Sequence, residues 1–315
     1  MTFDYWFMFP IAIVIATTAM ASGVEGAAFF TPLFILVLGF PPEVAIGTGL
    51  ITAVFGTASG VTAYAYKQLI DYRLGGTLLI TTIPMGILGT GLSTYLYPNV
   101  LKAALAIMLV AVATSFRGAF GPTSRAPGES QTAQPATVRP LRQIMARNGE
   151  TFRYPEPNLP VGRAITAVGG LFLGLISTGL GQLNGYYLIQ RSQVPGKVAV
   201  ATSVFIVAVT ALIASTGHLV RFVSAGGITL HTVLNVVVFT IPGVLIGGQV
   251  GPMLANSITQ RTLKRSLAVL FLTIAILLLI EISPLTANAA YVWVFPVNSK
   301  ELLAAPPWLH SLHVP

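Results

Sequence analysis

The sequence predicts an all-α integral membrane protein of two homologous repeats.

 Each repeat reads as a broken or re-entrant helical hairpin plus three transmembrane helices, with the second repeat inverted relative to the first. Three observations carry this. The 315 residues are 54% hydrophobic and only 8% charged, with mean hydropathy +0.79. Soluble chains carry about 25% charged residues, so this chain cannot cover a water-facing surface. The chain also repeats itself: Ser22-Gly23-Val24-Glu25-Gly26 is answered by Ser177-Thr178-Gly179-Leu180-Gly181, and Ile83-Pro84-Met85-Gly86 by Ile241-Pro242-Gly243-Val244. Finally, Gly-rich breaks interrupt the leading apolar stretch of both copies, a pattern of secondary transporters.

The first repeat, residues 1–117, holds apolar stretches at about 9–40, 44–66, 74–97 and 100–117. The second, 163–283, holds them at about 164–190, 198–220, 228–254 and 263–282. A span needs roughly 20 apolar residues, and six stretches fit one helix each. The leading two do not: 9–40 is too long and broken by Gly23, Gly26 and Pro32, and 164–190 is broken by Gly179, Gly181 and Gly185. Met8 to Ala19 looks like a signal-peptide core, but the only charge before it is Asp4 and a signal needs a positive start, so it reads as mature protein. The linker 118–162 is rich in Pro and Arg and reads as a solvated segment with one short helix near 139–147. The tail 284–315, with Trp293 and Trp308, reads as interfacial.

Basic residues collect on the cytoplasmic side of membrane proteins. Four crossings per repeat would leave Lys102, Arg191, Lys197, Arg261, Lys264 and Arg265 outside. Re-entrant leading hairpins leave three crossings per repeat and put only Lys102, Arg221 and Lys300 outside, so 14 of the 17 basic residues, including the linker's, are cytoplasmic. An odd number of crossings inverts the second repeat relative to the first. The charge distribution favours this arrangement.

The net charge of +8 is thus topological and implies no nucleic-acid partner. With no cysteine, thiolate metal sites and disulfides are excluded. No nucleophile motif, phosphate loop or zinc signature is present, so the sequence supports neither an enzyme nor a bound cofactor.

Polar residues at the breaks are the candidates for chemistry. A half-helix starting after each tip would point free N–H groups and a positive dipole end at the membrane centre, which suits an anion. The binding candidates are Ser22, Gly23 and Gly26 on the first tip and Thr178, Gly179, Gly181, Gln182 and Asn184 on the second. Thr48 and Thr202 join them because each lies seven residues after a proline, Pro41 and Pro195. Against this stand close helix packing for the glycines and i−4 backbone bonding for the threonines. Glu25, an acidic residue in an apolar stretch, is a proton-coupling candidate or a solvated bystander at a water-filled mouth. His218 and Arg221, at the end of a span, read as interfacial anchors.

These residues resemble the sulfite exporter family TauE/SafE. The resemblance rests on Ser22 to Ala28 leading to Thr31-Pro32-Leu33, on Phe40-Pro41-Pro42 leading to Ala45-Ile46-Gly47-Thr48, and on Gly179 to Gly185 followed by Val194-Pro195-Gly196 through Thr202-Ser203. It implies a multi-pass inner-membrane transporter that moves sulfite, sulfonates or related small oxyanions, often outward, with the lipid bilayer and the small anion as partners. Glu25 and Ala27 stand where the family pattern has glycines, and Gln182, Leu183 and Asn184 interrupt the second run; both departures change the charge and shape of the pocket. The alternatives are a non-transporting membrane scaffold and a channel or importer of the same fold. The sequence leaves the oligomeric state open.

Overall fold

The computed structural model of the chain describes residues 5–22, 24–116, 141–254 and 260–282. The first repeat contributes α1 (Met8–Ser22), α2 (Ala27–Leu36), α3 (Pro42–Tyr66), α4 (Tyr72–Ser93) and α5 (Pro98–Ser115). A two-stranded sheet follows, β1 (Leu141–Met145) and β2 (Thr151–Pro155). The second repeat contributes α6 (Leu159–Ile176), α7 (Leu180–Gly185) continuing as a π-helical turn over Tyr186–Arg191, α8 (Gly196–Ala225), α9 (Gly227–Leu254) and α10 (Gln260–Ile282). The interfacial tail assigned to 284–315, Gly23 and the first part of the linker lie outside the described residues.

Among the described residues, seven helices, α3 to α6 and α8 to α10, are long and apolar enough to cross a membrane. The chain is an all-α membrane protein apart from the small linker sheet. At 15 and 10 residues, α1 and α2 are each too short to cross. Helix starts follow ordinary chemistry: Pro42 and Pro98 occupy first-turn positions where the missing N–H is harmless, and the Asp71 carboxylate caps α4 by accepting the Leu74 N–H at 2.9 Å.

Glycine stripes set the packing. On α9, Gly243, Gly247 and Gly251 lie against α1, and a Cβ at Gly247 would stand 2.6 Å from the Ile13 carbonyl oxygen. On α6, Gly170 and Gly174 lie against α4 in the same way, with a Cβ at Gly170 meeting the Thr82 carbonyl oxygen at 2.6 Å. Small residues at this spacing let two backbones touch, which is how membrane helices gain packing without a hydrophobic driving force. Since α1 corresponds to α6 and α4 to α9, one helix pair is built twice with the repeats exchanged. A second exchanged pair, α3 on α9 and α4 on α8, is tied by hydroxyls: Thr52 to Thr240 at 3.0 Å and Thr82 to Thr210 at 3.0 Å.

The same contacts give helix directions. Phe9, Ile13 and Thr17 meet Gly243, Gly247 and Gly251 in ascending order, so α1 and α9 run parallel. Thr52 meets Thr240 and Gly56 meets Val244, so α3 runs with them. In contrast Gly26 faces Ala53 while Thr31 faces Gly49, so α2 runs opposite to α3 and the chain reverses between α1 and α2. It reverses again after α6, where Gly162 meets Tyr187 and Gly169 meets Leu180. Equivalent helices α3 and α8 run antiparallel, with Gly47 against His218 and Phe222, and Gly60 beside Val204.

The linker differs from the expected short helix near 139–147: its described part is an antiparallel hairpin pairing Leu141 with Pro155 and Ile144 with Phe152. Its side chains alternate, with Arg142, Ile144, Phe152 and Tyr154 turned toward the protein. The reversal lies at Asn148-Gly149, where Gly149 has φ +83°. Arg142 Nη1 and the Tyr154 hydroxyl both donate to Asp71 Oδ2, at 2.9 and 2.7 Å, and Lys197 bonds Glu150 at 2.7 Å. The hairpin therefore sits on the α3–α4 loop and the start of α8.

Candidate functional site

The two reversals are built differently. At the first, the Ser22 hydroxyl donates to the Ala19 carbonyl at 3.0 Å and the Val24 N–H returns to the same oxygen at 3.1 Å, which ends α1 and presents Glu25. At the second, Ser177 adopts φ 62° and Gly179 φ 116°. The left-handed pair breaks the helix after Ile176 and leaves the N–H groups of the following turn aimed back at the first tip. Glycine relieves the cost of that conformation at position 179.

The tips meet through one side chain. Glu25 Oε2 accepts the Gly179 N–H at 2.8 Å, and Oε1 accepts the Gly181 N–H across a closer contact. Glu25 is only 6% exposed. A second link joins the Thr31 and Ser177 hydroxyls at 2.5 Å. Thr178 stands beside the Glu25 carboxylate, yet its buried Oγ1 lacks a hydrogen bond of normal geometry.

Unpaired polar atoms follow on α7. Gln182 Oε1 and both side-chain atoms of Asn184 are buried without a hydrogen-bond partner, and Asn184 is fully buried. An unpaired buried polar group costs about 1–3 kcal/mol, which a polar ligand within reach would relieve. On the other side of Glu25 lies a cavity of about 50 Å³ lined by Glu25, Gly26, Gly181, Thr57, Tyr64 and Ser203 among small apolar side chains.

The structure thus brings together Glu25, Gly26, Thr178, Gly179 and Gly181 of the sequence-derived candidates, and Gln182 and Asn184 follow within the next three residues of α7. The Ser22 hydroxyl is engaged by its own helix. The Thr48 hydroxyl donates to the Val44 carbonyl at 2.7 Å, the i−4 bond of an ordinary helical threonine. Thr202 accepts the Asp71 N–H at 3.0 Å, so it ties α8 to the α3–α4 loop. Gly23 lies outside the described residues. His218, expected as an interfacial anchor, is buried within the protein: it is 2% exposed, with Nε2 3.4 Å from the Gly174 carbonyl oxygen, while Arg221 Nη1 donates to the Thr90 carbonyl at 2.7 Å. Sequence reasoning missed the cavity residues Thr57, Tyr64 and Ser203 and the Thr31–Ser177 link, whose partners are 146 positions apart.

At the hairpin end, burial and the bond to Asp71 push the Tyr154 phenol well above its usual range, so it stays a donor. The Lys197 ammonium holds the exposed Glu150 carboxyl below the usual range.

Comparison with known proteins places these features in a family context. Residues 8–278 match the family described as Sulfite exporter TauE/SafE. Among curated proteins, the chain is 25% identical over 240 residues to "Probable membrane transporter protein YunE" of Bacillus subtilis (strain 168), covering 76% of this chain and 82% of that one. It is 28% identical over 242 residues to "Probable membrane transporter protein YjnA" of the same organism, covering 73% and 84%. A shorter match, 27% over 110 residues, is to "Probable membrane transporter protein ORF9" of Sinorhizobium sp, covering 35% and 41%. No solved structure matches the chain.

Proposed function

We propose that this chain, which belongs to the sulfite exporter TauE/SafE family of membrane transporters, exports a small oxyanion, sulfite or an organosulfonate, across the inner membrane. The observation that carries this reading is the seat at the meeting of the tips: two backbone N–H groups, from Gly179 and Gly181, converge on one buried oxyanion, here the Glu25 carboxylate. Oriented N–H groups out of water bind an anion without the cost of burying a full positive charge. Thr178 supplies a further polar atom beside it.

Inverted repeats around this seat give the transporter its alternating access, one repeat rocking against the other. The antiparallel run of α3 and α8 supports that reading. So do the Glu150–Lys197 and Asp71–Thr202 contacts, which gather the linker, the α3–α4 loop and the start of α8 at one end, the cytoplasmic end by the charge distribution. Export needs no coupling ion in principle: with the inside negative, each negative charge leaving gains about 2.3 kcal/mol per 100 mV.

The test is flux from liposomes holding the purified chain, across sulfite, sulfate, thiosulfate, sulfoacetate and taurine. Saturable efflux of sulfite or a sulfonate is expected, faster under an inside-negative potential. Liposomes that release none of the five faster than protein-free vesicles would end the proposal.

A further inference from the structure

The Glu25 carboxylate makes the two bonds that a transported oxyanion would make, and we propose that it is a tethered surrogate for the cargo, filling the seat until a cargo anion displaces it. This rests on the tips being the binding site. Four observations support the inference.

First, the carboxylate bridges the seat, one oxygen on the Gly179 N–H at 2.8 Å and the other on the Gly181 N–H. Second, among the described residues no Lys or Arg forms an ion pair with it. Backbone N–H groups hold it, with the neutral Thr178 hydroxyl beside them, so an anion offering two oxygens at the same spacing can take its place. Third, the corresponding position of the other repeat is Leu180, an apolar residue, so only one tip carries an occupant. Fourth, the cavity beside the carboxylate is walled by Ala53, Val200, Val204 and Val244, with Ser203 and Tyr64 as polar points. It offers apolar room next to the seat for the body of a cargo whose head has replaced the carboxylate.

The two anions exclude each other, because like charges a few ångströms apart in a poorly screened interior repel strongly. The geometry thus selects a carboxylate or sulfonate with a short apolar body over a single-centred halide, which cannot reproduce the two-oxygen bridge. It also makes the side chain a competitor that lowers cargo affinity and keeps the two tips joined when no cargo is present.

The experiment uses the full chain in lipid nanodiscs, with sodium formate as probe and sodium chloride at equal ionic strength as control. In the parent, formate should raise the unfolding temperature no more than chloride does. In Glu25→Ala the seat loses its tethered anion, and formate should raise that temperature saturably by about 3 °C or more. Glu25→Gln fills the seat with a neutral amide and should respond to formate less than Glu25→Ala. If Glu25→Ala unfolds in chloride, it is purified in formate, and loss of folded protein on exchange into chloride is the expected result. Equal behaviour of Glu25→Ala in formate and chloride would overturn the proposal, as would an equal formate response of parent and variant. Anion flux without any formate effect would refute the surrogate and leave transport standing. A formate effect in a chain that moves no anion would refute transport and leave the seat.

Discussion

The hydroxyls of Thr31 and Ser177 lie 2.5 Å apart and join α2 of the first repeat to the residue that ends α6 of the second. Both side chains are fully buried. The Ser177 hydroxyl also donates to the Ile176 carbonyl at 2.6 Å, so removing Ser177 orphans the Thr31 hydroxyl, whereas removing Thr31 leaves Ser177 that bond. We therefore expect Ser177→Ala to lower stability by about 1–2 kcal/mol, Thr31→Val by less, and the double variant to cost less than their sum. Thermal unfolding in detergent measures the cycle, and strict additivity would show that the bond does not couple the repeats.

The glycine stripe on α9 should be intolerant of side chains. Gly247→Val places new atoms against the Ile13 carbonyl and Ala16, so it should cost about 3 kcal/mol or more and reduce the yield of folded protein. Gly76 and Gly91 have nothing within 4 Å of a new Cβ, and alanine at either should fold as well as the parent. Equal yields for Gly247→Val and Gly76→Ala would remove the α1–α9 contact from the account.

Labelling reports the orientation. The chain has no cysteine, so single cysteines at Arg153 and Arg191 read one site each. Both should label from the cytoplasmic side, and cysteines at Asp4 and Glu43 from the opposite side. Labelling of Arg153 and Arg191 from different sides would contradict inverted repeats and restore parallel ones.

The linker hairpin should come loose when its tie to Asp71 is cut. Tyr154→Phe removes a buried 2.7 Å hydrogen bond to a carboxylate, a loss of about 1.5–3 kcal/mol for a bond to a charged group. Faster protease cleavage within 141–155, with the membrane helices intact, is the expected outcome. An unchanged cleavage rate would mean that the Arg142–Asp71 pair alone holds the hairpin.

Much of this was legible in the residues themselves. Apolar length and the paired Ser22–Gly26 and Ser177–Gly181 motifs located the helices and both breaks, because they depend on local composition. The partners of Glu25 were not legible, since they stand 154 and 156 positions away and only packing brings them close. Thr48 and Thr202 show the limit of symmetry: they match in sequence, yet one bonds its own helix and the other the Asp71 backbone. The hairpin was hidden by the Pro and Arg content of the linker, although Asn148-Gly149 was a readable turn signal.

If an oxyanion crosses by way of the N–H groups of Gly179 and Gly181, blocking the approach to them must slow its flux. Sulfite efflux from liposomes holding the parent or Gly181→Leu tests it most directly. A Cβ at Gly181 would stand 3.0 Å from Glu25 Cγ, so the longer side chain fills the approach to the seat. Flux should fall at least about tenfold in a variant that still elutes as folded protein, the size of effect that blocking one binding contact of about 1.4 kcal/mol produces. Parent-like efflux from folded Gly181→Leu would contradict it and move the binding site away from the tips.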